Sequence, residues 1–397
     1  MISRYKSRPL LRVGIMSGRQ MEFSLPGDGA SRRQVSWDGG KVSYQGKLYD
    51  SLEFNEASFT LYGVTIGVDF HWQRHRDLSY SGSLEFIVEG DRITAVNKVD
   101  VEEYLLSVIS SEMKSSAGVE FLKAHAVISR SWVLSQIRSG KQPRKAAEGM
   151  VDTPERYIHW FDHEDHTAFD VCADDHCQRY QGVTMAVGEN VRRALKETCG
   201  QVLAYDGEIC DARFSKCCGG VTELFSTCWE DRDYPYLQSV KDPFCDTTDT
   251  EVLAQVLNDY DLETRDFYRW EQRYSRGELS ELVKERSGID FGVIEDLVPL
   301  ERGASGRIKR LLVIGSKRRM EIGKELIIRR WLSESHLKSS AFEVRWEGDE
   351  VVLQGGGWGH GVGLCQIGAA VMASRGYGYK EILAWYYPGS QIDKCYD

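Results

Sequence analysis

Two small groups of residues in this chain are of types that do chemistry. The first is Ser110-Ser111-Glu112-Met113. Glu112 falls near the C-terminal end of a helical stretch, at the negative end of the helix dipole, with apolar neighbours that can desolvate it. Both effects favour the protonated carboxyl that a general acid needs at neutral pH. A solvated surface glutamate is the alternative, because most glutamates are exposed. The second group is His166, Cys172, His176 and Cys177. Two imidazoles and two thiols match the preference of tetrahedral zinc, and four protein ligands would close the site and make it structural. The spacing is not that of a standard finger, because His176 and Cys177 are adjacent. A Cys172–Cys177 disulfide or free buried thiols fit the same residues.

Two further stretches imitate known motifs. His163-Glu164-Asp165-His166 is one residue short of the metalloprotease H-E-x-x-H, so its histidines would not share a helix face. The run from Gly355 to Gly363 lacks the Lys-Ser/Thr of a phosphate loop and the spacing of a dinucleotide loop. Its glycines read instead as tight backbone beside a groove, with Trp358 and His360 as core residues. A nucleophile made from Cys365 and His360 is chemically conceivable, but a buried, inert cysteine is the simpler reading.

These residues have to be placed by an α+β chain. Up to about Asn97 short alternating runs recur between turns. Gln45-Gly46 and Gly90-Asp91 mark hairpins, and Phe59 to Trp72 supplies further strand. Asp100 with Glu103 has the form of a capping box at a helix start, and Leu105, Val108, Ile109 and Met113 follow at helical spacing. Ser115, Ser116 and Gly118 break the pattern before a second helix over about Val119 to Ile137. Ser139 to His166 reads as a polar connection. A second capping box, Ser275 with Glu278, precedes Leu279, Leu282 and Val283, and Gly306 to Gly323 alternates like a pair of strands. A short helix ends near Gly376 and another before Pro388. The expected organisation is a β-rich domain over residues 1–97, a core over 98–245 and 342–397, and an inserted α+β subdomain over 246–341.

Composition narrows the function classes. A length of 397 residues suits two or three domains with a sizeable core. A net charge of −10 argues against nucleic acid, and against a basic patch for anionic membranes. No apolar run is long enough to be a transmembrane segment. Leu10 to Ile15 is too short and interrupted for a signal peptide and reads as a strand. The chain is therefore cytoplasmic, exported by a route it does not display, or written after processing. Most of the ten cysteines lie between Cys172 and Cys245, which points to metal or local disulfides.

Three segments together resemble the SpoIID/LytB family of peptidoglycan-acting proteins. The first runs from Val101-Glu102-Glu103-Tyr104 through Ser111-Glu112-Met113 to Leu122-Lys123-Ala124-His125-Ala126-Val127 and Arg130. The second runs from Asp170-Val171-Cys172 through His176-Cys177 and Gln181-Gly182 to Cys218-Gly219-Gly220 and Pro235-Tyr236-Leu237. The third is Gly357-Trp358-Gly359-His360-Gly361-Val362-Gly363 with Gln366, Gly368 and Tyr386-Tyr387-Pro388-Gly389. The inserted segment is similar more loosely, through Ser305-Gly306-Arg307. The resemblance implies either a lytic transglycosylase cutting peptide-stripped glycan strands or an enhancer of a cell-wall amidase. It makes Glu112 the single acid–base, forming a 1,6-anhydro-muramic end. It implies Zn2+ on His166, Cys172, His176 and Cys177, and a location in the cell envelope. Lys123, Arg130, Tyr236, His360 and Gln366 then become candidates for holding substrate; for Lys123 and Arg130 a solvated helix face is the competing role. Three departures stand out: Lys114 replaces the usual proline, His125 the usual glutamine and Cys365 the usual serine. They bear on substrate preference.

Overall fold

Strands with one apolar face dominate the early chain. Leu11, Val13, Met21, Phe23, Leu61, Leu78 and Tyr80 are all buried, at the alternation a half-buried sheet requires. The computed structural model describes residues 2–67, 73–114, 116–139, 149–161, 166–174, 176–183, 188–257 and 266–397. The chain divides into two compact units. The first comprises Met1–Gln142, His163–Asp211 and Ile392–Asp397, and the second Pro143–Asp162 and Ala212–Gln391. Of the segments expected from sequence, 1–97 lies in the first unit and 246–341 in the second, while 98–245 and 342–397 contribute to both.

In the first unit, strand Leu10–Gly18 pairs antiparallel with Arg92–Asp100 and, on its other edge, parallel with Val171–Cys172. Ser83–Glu89 and Ser51–Phe54 complete that sheet. A six-stranded sheet runs from Lys47–Tyr49 to Arg74–Ser81. The Gln45-Gly46 hairpin has φ of 49° and 75°, the pair of positive angles that matches strand twist. Strand Ser58–Ile66 occupies the next expected stretch, whose residues 68–72 lie outside the described ones. Helix α1 (Val101–Glu112) begins with the Asp100 carboxylate accepting from the Glu102 amide. Among the described residues the expected capping box does not form: Asp100 caps the Glu102 amide in place of that of Glu103. Helix α2 (Val119–Ser139) is largely buried, and α3 (Glu189–Glu197) packs beside it.

The second unit has a five-stranded sheet in the order Val151–Asp152, Arg156–Ile158, Arg319–Gly323, Ile308–Gly315, Ile294–Arg302. The polar connection thus carries two short strands, and its residues 140–148 and 162–165 lie outside the described ones. Those include His163, Glu164 and Asp165 of the metalloprotease look-alike. A three-stranded sheet orders Arg269–Ser275, Glu350–Gly356 and Phe342–Glu347. The helices are α4 (Phe225–Cys228), α5 (Thr250–Val256), α6 (Arg276–Ser287), α7 (Glu325–Trp331), α8 (Gln366–Ser374) and α9 (Tyr379–Tyr386). Helix α6 has the expected Ser275/Glu278 capping box and ends at left-handed Gly288. Its Leu279 and Val283 enter a core with Ile308, Leu311, Val313, Ile328 and Leu353. The architecture is α+β.

Candidate functional site

The histidine–cysteine loop is laid on the edge of the first strand. The Arg12 amide donates to Asp170 Oδ2 at 2.8 Å, and the Asp170 amide donates to the Arg12 carbonyl at 2.9 Å. This sets Cys172 opposite Gly14 in the ladder. A Cβ on Gly14 would sit 2.5 Å from the Phe169 ring, so only glycine admits that ring. Phe169 in turn supports His166, ring centroids 4.9 Å apart. His166 Nε2 lies 3.2 Å from His176 Nδ1, and Cys177 Sγ lies 3.6 Å from the same nitrogen. Cys172 Sγ is 4.0 Å from it, and the Cys172 amide donates to Cys177 Sγ at 3.4 Å. All four donor atoms lie within 4.8 Å of one another. Tetrahedral bonds of zinc to nitrogen and sulfur place donors roughly 3.3 to 3.8 Å apart, so the set fits. Cys172 and Cys177 are free cysteines. The Cys172 thiol is lowered to about 2, first by its hydrogen bond with Cys177 and then by His166 and His176, against the opposing effect of burial. The quartet therefore favours a thiolate.

The same loop continues onto α1. Glu112 is the last residue of that helix and is only 8% exposed, so it is not a solvated surface glutamate. The Arg179 amide donates to its Oε1 at 3.4 Å, and the Gln181 amide donates to Ser111 Oγ at 3.2 Å. Between them Tyr180 stacks on Tyr104 at 5.0 Å and donates its hydroxyl to Asn97 Oδ1 at 2.5 Å. Gly182 then passes so close to the Ser79 carbonyl that a Cβ would lie 2.0 Å from its oxygen. Only Gln178 separates Cys177 from the amide that touches Glu112, so the loop and the glutamate share one backbone.

Lys123 and Arg130 have other partners. Lys123 Nζ lies 2.7 Å from Glu120 and 2.6 Å from Glu197, joining α2 to α3. Arg130 is fully buried. Its guanidinium donates to both Glu102 oxygens at 3.0 and 2.8 Å, to Tyr396 and to the Gln201 carbonyl. Arg130 is thus an internal ion pair and not a solvated face.

Tyr236, His360 and Gln366 belong to the second unit. Tyr236 and Gln366 are 6% and 2% exposed. His360 is half-buried, accepts from the Val362 amide at Nδ1 at 3.0 Å and bonds the Phe214 backbone. Burial first, and then Arg213, Arg307 and Arg329, push its pKa well below the ordinary value, so the ring is neutral. Trp229 meets it edge-on at 5.0 Å. No hydrogen bond joins His360 to Cys365, which is fully buried at the N-cap of α8. The glycine run is fixed by Arg307, which is fully buried and donates to the Gly359 carbonyl at 3.1 and 2.9 Å. A Cβ on Gly361 would meet that guanidinium at 2.5 Å. Gly355 and Gly356 line an open groove of 770 Å³ with Arg269, Trp270, Glu271 and Arg302. This is the groove-side backbone that the glycines predicted.

Sequence reasoning missed a second set of donors, Cys218, Asp242, Cys245 and Cys365, all buried and gathered within 4.8 Å. The adjacent pair Cys217-Cys218 was a visible signal, but its partners lie far along the chain.

The fold and loop define an α+β protein that presents a shielded glutamate beside a metal-type quartet. Residues 89–205 match the family described as Stage II sporulation protein (SpoIID). Residues 223–363 match a domain of unknown function (DUF8618). The chain is 26% identical over 302 residues to stage II sporulation protein D of Bacillus subtilis (strain 168), covering 76% of each. It is 27% identical over 303 residues to the protein of that name from Bacillus amyloliquefaciens, again covering 76% of each. It is also 27% identical over 315 residues to the amidase enhancer of Bacillus subtilis (strain 168), covering 72% of this chain and 40% of that protein. Through residues 89–205 the chain is similar to the SpoIID/LytB family, as the three sequence segments imply.

Proposed function

We propose that this protein is a peptidoglycan lytic transglycosylase of the cell envelope, with Glu112 as its single acid–base. One observation carries the reading. Glu112 is nearly buried, yet among the described residues its carboxylate accepts only the long bond from the Arg179 amide. Among the described residues its second oxygen accepts no bond and no cation pairs with it. A shielded carboxyl with an idle oxygen is suited to moving a proton.

Glu112 protonates the oxygen bridging N-acetylmuramic acid to N-acetylglucosamine. Positive charge develops at the muramic C1 as that bond breaks. The C6 hydroxyl of the same sugar attacks C1 and returns its proton to Glu112. The product is a 1,6-anhydro-muramic end, and no water is consumed. Ordinary glycosidases need a second carboxylate to activate water or form the intermediate. Here the internal hydroxyl replaces it, with the advantage of an intramolecular attack. His166, Cys172, His176 and Cys177 would hold a zinc ion whose filled coordination makes it a structural clamp. In the second unit the groove lined by Arg269, Glu271 and Arg302 offers charged edges suited to sugar hydroxyls. No helix among the described residues is long and apolar enough to cross a membrane.

Similarity to an amidase enhancer supports a second reading, a glycan-binding activator of a cell-wall amidase. The two separate in one experiment. Purified glycan strands, with and without stem peptides, are incubated with wild type and Glu112→Gln and analysed by mass spectrometry. Anhydro ends from wild type and a loss of at least about 10²-fold in the variant support the transglycosylase. Binding without cutting by both proteins establishes the enhancer instead.

A further inference from the structure

We propose that the second unit binds one zinc-class divalent cation in its core through Cys218, Cys245, Cys365 and Asp242. The proposal is independent of the histidine–cysteine loop and of the glycan reading. Cys218 and Asp242 are each 2% exposed, and Cys245 and Cys365 are fully buried. Cys218 Sγ lies 3.6 Å from Cys245 Sγ and 3.2 Å from Asp242 Oδ2. A tetrahedral zinc with sulfur and oxygen ligands separates such pairs by roughly 3.8 and 3.5 Å, so small side-chain rotations suffice. Three soft sulfurs and one carboxylate select zinc over the hard cations.

The surroundings already have the form of a ligand shell. The Cys218 and Gly368 amides both point at Cys365 Sγ, at 3.3 and 3.5 Å, as donors do towards a thiolate. Asp242 Oδ2 accepts from the Tyr386 hydroxyl at 3.0 Å, and Oδ1 accepts from the Phe244 and Cys245 amides at 2.9 and 3.2 Å. Both carboxylate oxygens are thereby oriented. Arg307 fixes the Cys218 backbone through its carbonyl at 3.1 Å. Gly368 leaves room for the cluster, since a Cβ there would fall 2.2 Å from the Tyr386 hydroxyl and 2.4 Å from Asp242. An independent observation completes the case: among the described residues no Lys, Arg or His is among the groups that act on Asp242. A buried carboxylate without a cation is costly, and a metal ion supplies the missing charge.

The test is metal content of the full chain, purified under reducing conditions, in wild type and in a His166→Ala/His176→Ala variant that empties the surface quartet. About 2 zinc ions per wild-type chain and about 1 in the variant are expected. Cobalt exchanged into the variant should give intense sulfur-to-metal charge-transfer bands in the near ultraviolet. Cys365→Ser in that background should abolish them, and Cys245→Ser provides a second substitution should the first fail to fold. A variant that retains its fold by circular dichroism but holds no zinc and shows no cobalt–thiolate bands overturns the proposal. So does a Cys218–Cys245 disulfide found by peptide mapping of wild type purified under reducing conditions.

Discussion

Replacing Glu102 with Gln should destabilise the first unit by about 3 kcal/mol. Glu102 and Arg130 face each other with side-chain exposures of 11% and 0%. Breaking a pair so shielded costs about 3–5 kcal/mol, because the surviving charge stays buried. Glutamine keeps one oxygen that can still accept from the guanidinium, which places the expected loss at the lower end. For a unit of this size that corresponds to a fall of about 6–12 °C in melting temperature. Removing both charges, in Glu102→Leu with Arg130→Met, should recover most of the loss despite the bonds forfeited by Tyr396 and Gln201. The pair should also register in acid. Burial works to raise the Glu102 pKa, but the Arg130 charge and hydrogen bonds outweigh it and hold it below the ordinary value. Its contribution is complete above the unfolded glutamate range and fades as pH falls through the folded pKa. The assay is thermal and urea unfolding at neutral pH, read alongside strand cleavage. A single variant within about 1 kcal/mol of wild type, or a double variant no better than the single, would refute this account. Arg130 would then be open to a role in holding substrate.

Two further predictions concern the loop and the second unit. Gly14→Ala should drive Phe169 from beneath His166, costing about 1–3 kcal/mol by overpacking and weakening zinc retention by the quartet; unchanged urea midpoint and zinc content would show that the ring has room to move. His336, whose pKa burial and then Arg329, Arg330 and Arg286 lower to about 3, should make the second unit less stable as pH falls from about 6.5. The unfolded chain takes up a proton there that the native ring refuses, giving at most about 1.4 kcal/mol per pH unit, and His336→Gln should flatten that slope in urea titrations at pH 7 and pH 5.

Local signals in this sequence were legible where the physics is local. The Gln45-Gly46 turn, the end of α1 before α2 and the Ser275/Glu278 cap depend on neighbours a few residues apart, and each formed as its residue types dictate. The surface quartet was legible for the same reason, since its members span only His166 to Cys177. Arg130 looked like a helix-face cation because its partner is 28 residues upstream on another helix. The buried donor set joins Cys218 to Cys365, a separation of 147 residues that no spacing rule covers. Asp100 and Glu103 show the opposite limit: the motif was present, and Asp100 capped the Glu102 amide alone.

Helix α1 carries two shielded carboxylates that the fold treats in opposite ways. Glu102 receives Arg130, the Tyr396 hydroxyl and the Gly200 amide, so every charge there is answered and the group serves stability. Glu112, at the other end, receives one long bond from the Arg179 amide. Leaving a carboxylate short of donors in a shielded place is unfavourable, and such exceptions cluster where chemistry needs them. The backbone that supplies the single donor is anchored on both sides, by Cys172 in the strand ladder and by Gly182 against the Ser79 carbonyl. Tyr180, wedged between Tyr80 and Tyr104, holds the middle. The loop therefore has its course before any ion binds. An ion in the quartet would tie His166 and His176 to Cys172 and Cys177 and so brace that course. Under the proposed function its contribution would lie in the precision with which one amide meets one oxygen, an effect of positioning that would leave the proton transfer itself to Glu112.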